Sequence, residues 1–175
     1  MQLNPSSTET RATLAIPTSQ AEATYLKFRL DAETPAVMAV RSIQEAFILP
    51  ARQLTTMPNM PAAVLGLTNR RNRVLWVVDL AQLLGLSVLD ATVQSYSLLL
   101  IQVGVVQLGL AVQRIEGMVR FAADAIQPPI GQMSALLLPY LQGCALQQQE
   151  DKQDVVLVLD AEAIVQAPIL NQHSE

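Results

Sequence analysis

The sequence predicts an all-β chain with a few short helices, folded as two similar subdomains. Three observations carry this. Short apolar segments bounded by Gly, Pro, Asn or Asp recur along the chain at strand length rather than helix length. Apolar residues make up 51% and charged residues 15% of the 175 positions, enough apolar material for a sizeable core. One half of the chain also resembles the other, since "VLWVVDLAQLL" (74–84) aligns without a gap with "VVLVLDAEAIV" (155–165).

The elements follow in order. Residues 1–22, rich in Ser, Thr, Asn and Gln, read as a flexible tail; no basic stretch leads into an apolar one, so no secretory signal is expected. In "TYLKFRL" (24–30), Tyr25, Lys27 and Arg29 alternate with Leu26, Phe28 and Leu30, as in a half-buried strand. "AVMAVRSI" (36–43) follows the turn formers of "DAETP". The segments "AVLGLTN", "RVLWVVDL", "YSLLLIQV", "VVQLGLAV" and "DVVLVLD" complete the expected strands, while "LAQLLGL", "MSALLLPYLQ" and "AEAIVQ" read as short helices. Residues 169–175 read as a C-terminal tail. The uncharged run 91–113 is long enough to span a membrane as a helix. Gln102, Gly104, Gln107 and Gly109 interrupt it, so two buried strands joined near Gly104 explain it better.

The duplication extends beyond its clearest segment. "AVRSIQE" (39–45) resembles "AVQRIEG" (111–117), and each is followed by a Pro-containing connection that ends in glycine, Gly66 or Gly143. Two subdomains are therefore expected, about 23–90 and 91–168. Closed or partly closed small barrels suit them, because closure removes exposed strand edges.

Little in the chain points to catalysis, a metal or a cofactor, and none is expected. Asp79 and Asp160 hold equivalent places but lack the Asp-Thr/Ser-Gly loop of aspartyl proteases. Each follows a strand and precedes a helical segment, which predicts N-caps, with Gln82 completing a capping box for Asp79. The only histidine, His173, lies in the expected tail, and the only cysteine, Cys144, reads as a small core residue. "NRRNR" (69–73) is the most conspicuous polar cluster. A nucleic-acid patch would need more basic residues along one face, and the net charge of −4 opposes it. A solvated two-residue hairpin with Arg71 and Asn72 at its tip, or a rigid arginine surface for a protein partner, both remain.

The order of segments resembles the CheW-like adaptor family of bacterial chemosensory systems. The family's best-marked stretch is Val-x-Gly-Val-Ile-Asn-Leu-Arg-Gly, an apolar strand containing Pro, and Asp-Leu. "VLGLTNRRNRVLWVVDL" (64–80) matches it at Val64, Gly66, Asn69, Arg71, Asp79 and Leu80. "VRSIQEAF" supplies Val40, Ile43 and Glu45 of a second segment, "MPNMP" supplies a Pro-x-x-Pro lead-in, and the likeness runs over about residues 23–168.

The resemblance implies two intertwined five-stranded β-barrels and no enzymatic activity. It also implies a cytoplasmic adaptor that joins chemoreceptor hairpin tips to the regulatory domain of a CheA-like histidine kinase, associated with membrane receptor clusters and able to join receptor–kinase arrays. Neither nucleic-acid binding nor direct membrane insertion is expected. A generic β-barrel interaction module derived from a kinase regulatory domain is the alternative. The family's arginine falls on Arg71 and its interface glutamate on Glu45; Val40, Val64, Gly66 and Asn69 are expected in the same region. Arg70 stands where the family has an apolar Leu, Asn72 where it has the turn Gly, Trp76 where it has the strand Pro, and Gln113 where it has an Asp. Asn is the next-best residue at a left-handed turn. Arg70 points to a divergent member, in a pilus-motility or phototaxis pathway, with an altered partner.

Overall fold

A computed structural model of the protein describes residues 21–129 and 131–171. Strands β1 (Glu22–Arg29), β2 (Pro35–Ala39), β3 (Ile43–Pro50), β4 (Val64–Arg70) and β5 (Arg73–Asp79) lead to helix α1 (Leu80–Leu83). The second half repeats this with β6 (Ser95–Val103), β7 (Val106–Val112), β8 (Arg114–Ala122), β9 (Ile126–Gln127), β10 (Leu141–Gln149), β11 (Lys152–Leu159) and α2 (Ala161–Val165); α3 (Pro168–Asn171) follows.

Two sheets form, in the orders β3-β6-β7-β5-β4 and β8-β1-β2-β11-β10-β9. They are the same arrangement twice. The hairpin β6-β7 corresponds to β1-β2, and β5-β4 corresponds to β11-β10. The one parallel pairing in each sheet aligns Val77 with Gly109 and Val158 with Val37. Each sheet is completed by a strand from the other half: β3 leaves the β1-β2 hairpin to pair with β6, and β8 leaves β6-β7 to pair with β1. The crossings are a single helical turn at Val40–Ser42 and Gln113, whose amide donates to the Arg29 carbonyl at 3.0 Å. The two barrel-like units are thus intertwined, and each draws on both halves of the chain rather than on residues before or after position 90. One sheet has the expected five strands; the other gains the two-residue β9.

Burial on both faces explains the long apolar runs. Along β6, Leu98 packs inside one barrel with Leu49 and Val77, while its neighbour Leu99 faces a core shared by both units. That shared core holds Phe28, Met38, Leu80, Leu110, Leu159 and Ile164, so α1 and α2 stopper it from corresponding positions. Each such side chain contributes roughly 1.5–3 kcal/mol of burial. The uncharged run at 91–113 forms the hairpin β6-β7, turning at Gly104 and Val105. Among the described residues no helix is long and apolar enough to cross a membrane.

Several expectations are corrected. The helix expected at "MSALLLPYLQ" does not form: only Leu138–Tyr140 make a helical turn, with Pro139 near its start, and β10 begins at Leu141. Leu137 is buried there while Leu136 lies over Gly85, so the leucine run is used by an irregular segment. The strand expected over 36–43 ends at Ala39, where the chain changes sheets. Glu22, placed in the tail, opens β1, and Ile169–Asn171, also placed in a tail, belong to α3. Ala21 is exposed just before β1, and residues 1–20 and 172–175 of the expected tails, including His173, lie outside the described residues.

Candidate functional site

β4 and β5 pair from Val64↔Val78 to Arg70↔Arg73, which leaves Arg71 and Asn72 as a two-residue loop. Both have positive φ, 51° and 63°. This is the left-handed pair whose twist matches a β-hairpin. Asn72 adopts it readily, whereas Arg71 is held there at a cost of roughly 1 kcal/mol. A charged residue held at positive φ in a two-residue turn is an outlier from which a functional hypothesis can be drawn.

β3 and β4 are the two edges of the five-stranded sheet, and side chains close the seam between them. Arg70, at the end of β4, donates from Nη2 to Glu45 Oε1 and from Nε to Glu45 Oε2 at 3.4 Å. Its guanidinium carbon also lies 4.1 Å from the centre of the Phe47 ring. Glu45 and Phe47 are two residues apart on β3 and so present the same face. Further along β4, Thr55 and Leu67 exchange backbone hydrogen bonds at 2.7 and 2.8 Å.

Arg71 Nη2 stands 3.4 Å from Glu45 Oε1, yet its side chain is 77% exposed against 35% for Arg70. Arg70 is therefore the principal partner of Glu45, and Arg71 projects outward. The Arg70 hydrogen bond, with the charges of both arginines and against the opposing effect of desolvation, holds the Glu45 carboxyl below its usual range. Arg73, Leu75, Leu100 and three glutamines complete the cleft around the pair. Gln107 Nε2 donates to Gln44 Oε1 at 2.9 Å and to Gln102 Oε1 at 3.0 Å, and Gln44 Nε2 also donates to Gln102. The result is a polar, arginine-rich cleft floored by amides.

The residues singled out in the sequence do not form one cluster. Glu45, Arg70 and Arg71 come together. Asn69 is exposed on β4 opposite Val74. Val40 is half-buried in the crossing turn, and Gly66 is buried at a bulge of β4. Val64 lines a separate apolar groove with Met60, Trp76, Leu108, Val165 and Leu170. Arg73, marked only as part of "NRRNR", faces the cleft from the start of β5, whereas Gln44, Phe47, Gln102 and Gln107 carried no functional signal of their own; their place beside Glu45 follows only from the β3-β6-β7 pairing.

Asp79 and Asp160 cap helices. The Asp79 carboxylate accepts from Gln82 N at 3.1 Å and from Leu89 N at 2.8 Å, and Asp160 accepts from Glu162 N at 2.9 Å and Ala163 N at 3.3 Å. The capping box at Asp79 is only half formed, because the Asp79 amide donates to the Ala63 carbonyl at 2.8 Å rather than to Gln82. Burial raises the Asp79 pKa against the opposing effect of its amide donors.

Intertwined β-barrels that carry an open, arginine-lined cleft define a class, the protein-interaction module. More narrowly, the chain belongs to the CheW-like domain family, whose model matches residues 24–168. The family consists of non-enzymatic scaffold and adaptor domains of chemotaxis signalling. Fifteen solved chains also match. Among them is the scaffolding protein TtCheW from Thermoanaerobacter tengcongensis, 17% identical, with 80% of this chain and 90% of that one aligned at a TM-score of 0.66. At that identity the likeness is one of fold. No curated protein matches the chain.

Proposed function

We propose that the protein couples chemoreceptors of the methyl-accepting type to a CheA-like histidine kinase, and so controls taxis or pilus-based motility. Its partners are the kinase's regulatory domain and the receptor's cytoplasmic hairpin tip, met in the cytoplasm beside membrane receptor clusters. The observation that carries this reading is the β4-β5 tip, where Arg70 is tied to Glu45 and Arg71 is left exposed at a rigid turn. Such a tip offers a planar five-donor fork to a partner without ordering a loop first. Signalling then needs only that receptor and kinase contacts favour different arrangements, with a coupling of about 1–3 kcal/mol.

The experiment is co-retention of cognate kinase and receptor fragments by the full chain. Wild type retains both, Arg71→Ala weakens retention, and Glu45→Ala weakens it less severely. No retention of either fragment by wild type would sink the adaptor reading. Arg70 favours a second reading, a module of the same origin serving another partner, because it places a charge where the family signature has an apolar side chain. Retention of neither fragment by a folded chain is the result that reading requires.

A further inference from the structure

The internal repeat relates the cleft at Glu45 to a second cleft on the other sheet, whose charges are arranged differently. The β3-β6 and β1-β8 registers both shift by one residue, between Ile43 and Glu45 in one and opposite Lys27 and Phe28 in the other. Superposing the two pairings sets Glu116 at the place of Gln44, Lys27 at that of Leu100 and Arg29 at that of Gln102. Counting from Gly66 and Gly143 sets Gln147 at the place of Arg70. Where the first cleft has an amide cluster, the second therefore has a charge cluster.

Three cations share one carboxylate there. Arg29 Nε and Arg114 Nη2 donate to Glu116 Oε1 at 2.9 and 2.8 Å, and Lys27 Nζ lies 3.5 Å from Glu116 Oε2. Lys27 is only 4% exposed and donates to Gln147 Oε1 at 2.6 Å. Two positive charges in the cluster are left without a counter-charge. The two clefts together hold six of the 11 basic residues of a chain whose net charge is −4.

The cluster is also built on an accessible track. β8 is an edge of its sheet; Arg114 pairs with Arg29 on the face of the cluster, and the one-residue shift at Glu116 places Met118, opposite Leu26, and Arg120, opposite Thr24, on the other face. The Arg114 side chain is 69% exposed and Met118 is 72% exposed. Along the edge the exposed residues are Arg114, Glu116, Met118 and Arg120, so that with Glu116 neutralised by the cations beside it the order is cation, apolar, cation over about 20 Å at strand rise.

We propose that the cluster of Lys27, Arg29, Arg114 and Glu116, together with the outer edge of β8, is a second docking site, which takes an extended segment of a partner protein whose alternating side chains present carboxylates to the cluster on one face and an apolar residue, flanked by carboxylates, to Met118 on the other. Charge complementarity selects the carboxylates, Met118 takes the apolar side chain, and the open edge takes the backbone. Glu116 is a positioning residue here, fixing the guanidinium planes of Arg29 and Arg114. The site belongs to the six-stranded sheet, not to the five-stranded sheet of the Glu45 cleft, and does not depend on which partner that cleft binds.

The test is an amide-resolved NMR titration of the full chain at low salt. The probe is a labelled peptide with a central leucine flanked by paired glutamates, and the controls are its glutamine counterpart and acetate at equal carboxylate concentration. The expected result is saturable shifts over 114–120 and at Gln147, absent with both controls. Arg114→Glu should weaken binding about tenfold, because it turns an attraction for the peptide's carboxylates into a like-charge contact, and Arg71→Glu should leave it unchanged. Arg114→Gln, a milder change at an exposed position, should weaken it less. The proposal is overturned by no saturable shift, by shifts confined to 69–73, by equal shifts with acetate, or by undiminished binding in a folded Arg114→Glu chain.

Discussion

Arg70 and Phe47 stand on opposite edges of one sheet with guanidinium carbon and ring centre 4.1 Å apart, so a stacked side chain seals a seam that backbone hydrogen bonds leave open. Arg70→Ala removes this contact and the ion pair to Glu45 together. Both are partly exposed, so the loss of stability should be about 1 kcal/mol. Arg71→Ala, at a side chain 77% exposed, should stay within about 0.5 kcal/mol. Urea midpoints with unchanged slopes measure both. Equal losses for the two variants would remove the distinction between clamp and projecting arginine.

Gly66 and Gly143 are equivalent in a different sense: each lets another backbone come too close for a side chain. A Cβ on Gly66 would overlap the Thr55 carbonyl oxygen, and one on Gly143 would overlap that of Gln127. Gly66 also has a φ of +147°, which L side chains rarely adopt. Alanine at Gly143 should cost about 1–3 kcal/mol through displacement of β9, and alanine at Gly66 should cost more because backbone strain adds. Thermal unfolding of the two variants checks the order; a Gly66→Ala chain as stable as wild type contradicts it.

The same two glycines show why some of the fold could be read from the sequence. They end Pro-containing connections at matching points of a duplicated pattern, and β5 and β11 beyond them are apolar runs whose last three or four residues are buried on both faces. β3 and β8 went unread for the opposite reason. As edge strands they are half exposed, so "IQEAFILP" and "RIEGMVRFA" mix polar and apolar residues without a clean alternation. These are the strands that exchange between sheets, so the interleaving of the halves was visible only through the family resemblance. For the site, "NRRNR" marked the hairpin, but which arginine meets Glu45 is decided by the one-residue alternation of β4. Arg70 takes the face toward β3, and Arg71 enters the turn.

Asp79 and Asp160 cap corresponding helices from unequal surroundings. Asp79 is fully buried and also satisfies the Leu89 amide, whereas Asp160 is half-buried and serves only its own helix. Asp160→Ala should cost about 1 kcal/mol, the usual effect of losing a cap. Asp79→Ala should cost about 2 kcal/mol or more, since a second N–H is left without an acceptor. Denaturant titrations of both variants supply the comparison. A larger loss at Asp160 would mean that the bond to Leu89 contributes nothing.

Glu116 should make stability depend on acid. Burial alone would raise its pKa, but hydrogen bonds from Arg29 and Arg114 and the charges of Arg29 and Lys27 lower it from 4.5 to about 2. A carboxyl with a depressed folded-state pKa binds protons more readily in the unfolded chain. Its contribution is therefore present in full above about pH 4.5 and is lost as the pH falls from there toward 2. Glu116→Gln leaves Lys27, Arg29 and Arg114 without their shared counter-charge, so it should destabilise the chain at pH 7. The gap between wild type and variant should then narrow steadily below pH 4.5. Urea unfolding of both chains across that range is the measurement. A gap of constant size down to pH 2 would show that the carboxylate does not hold the three cations together.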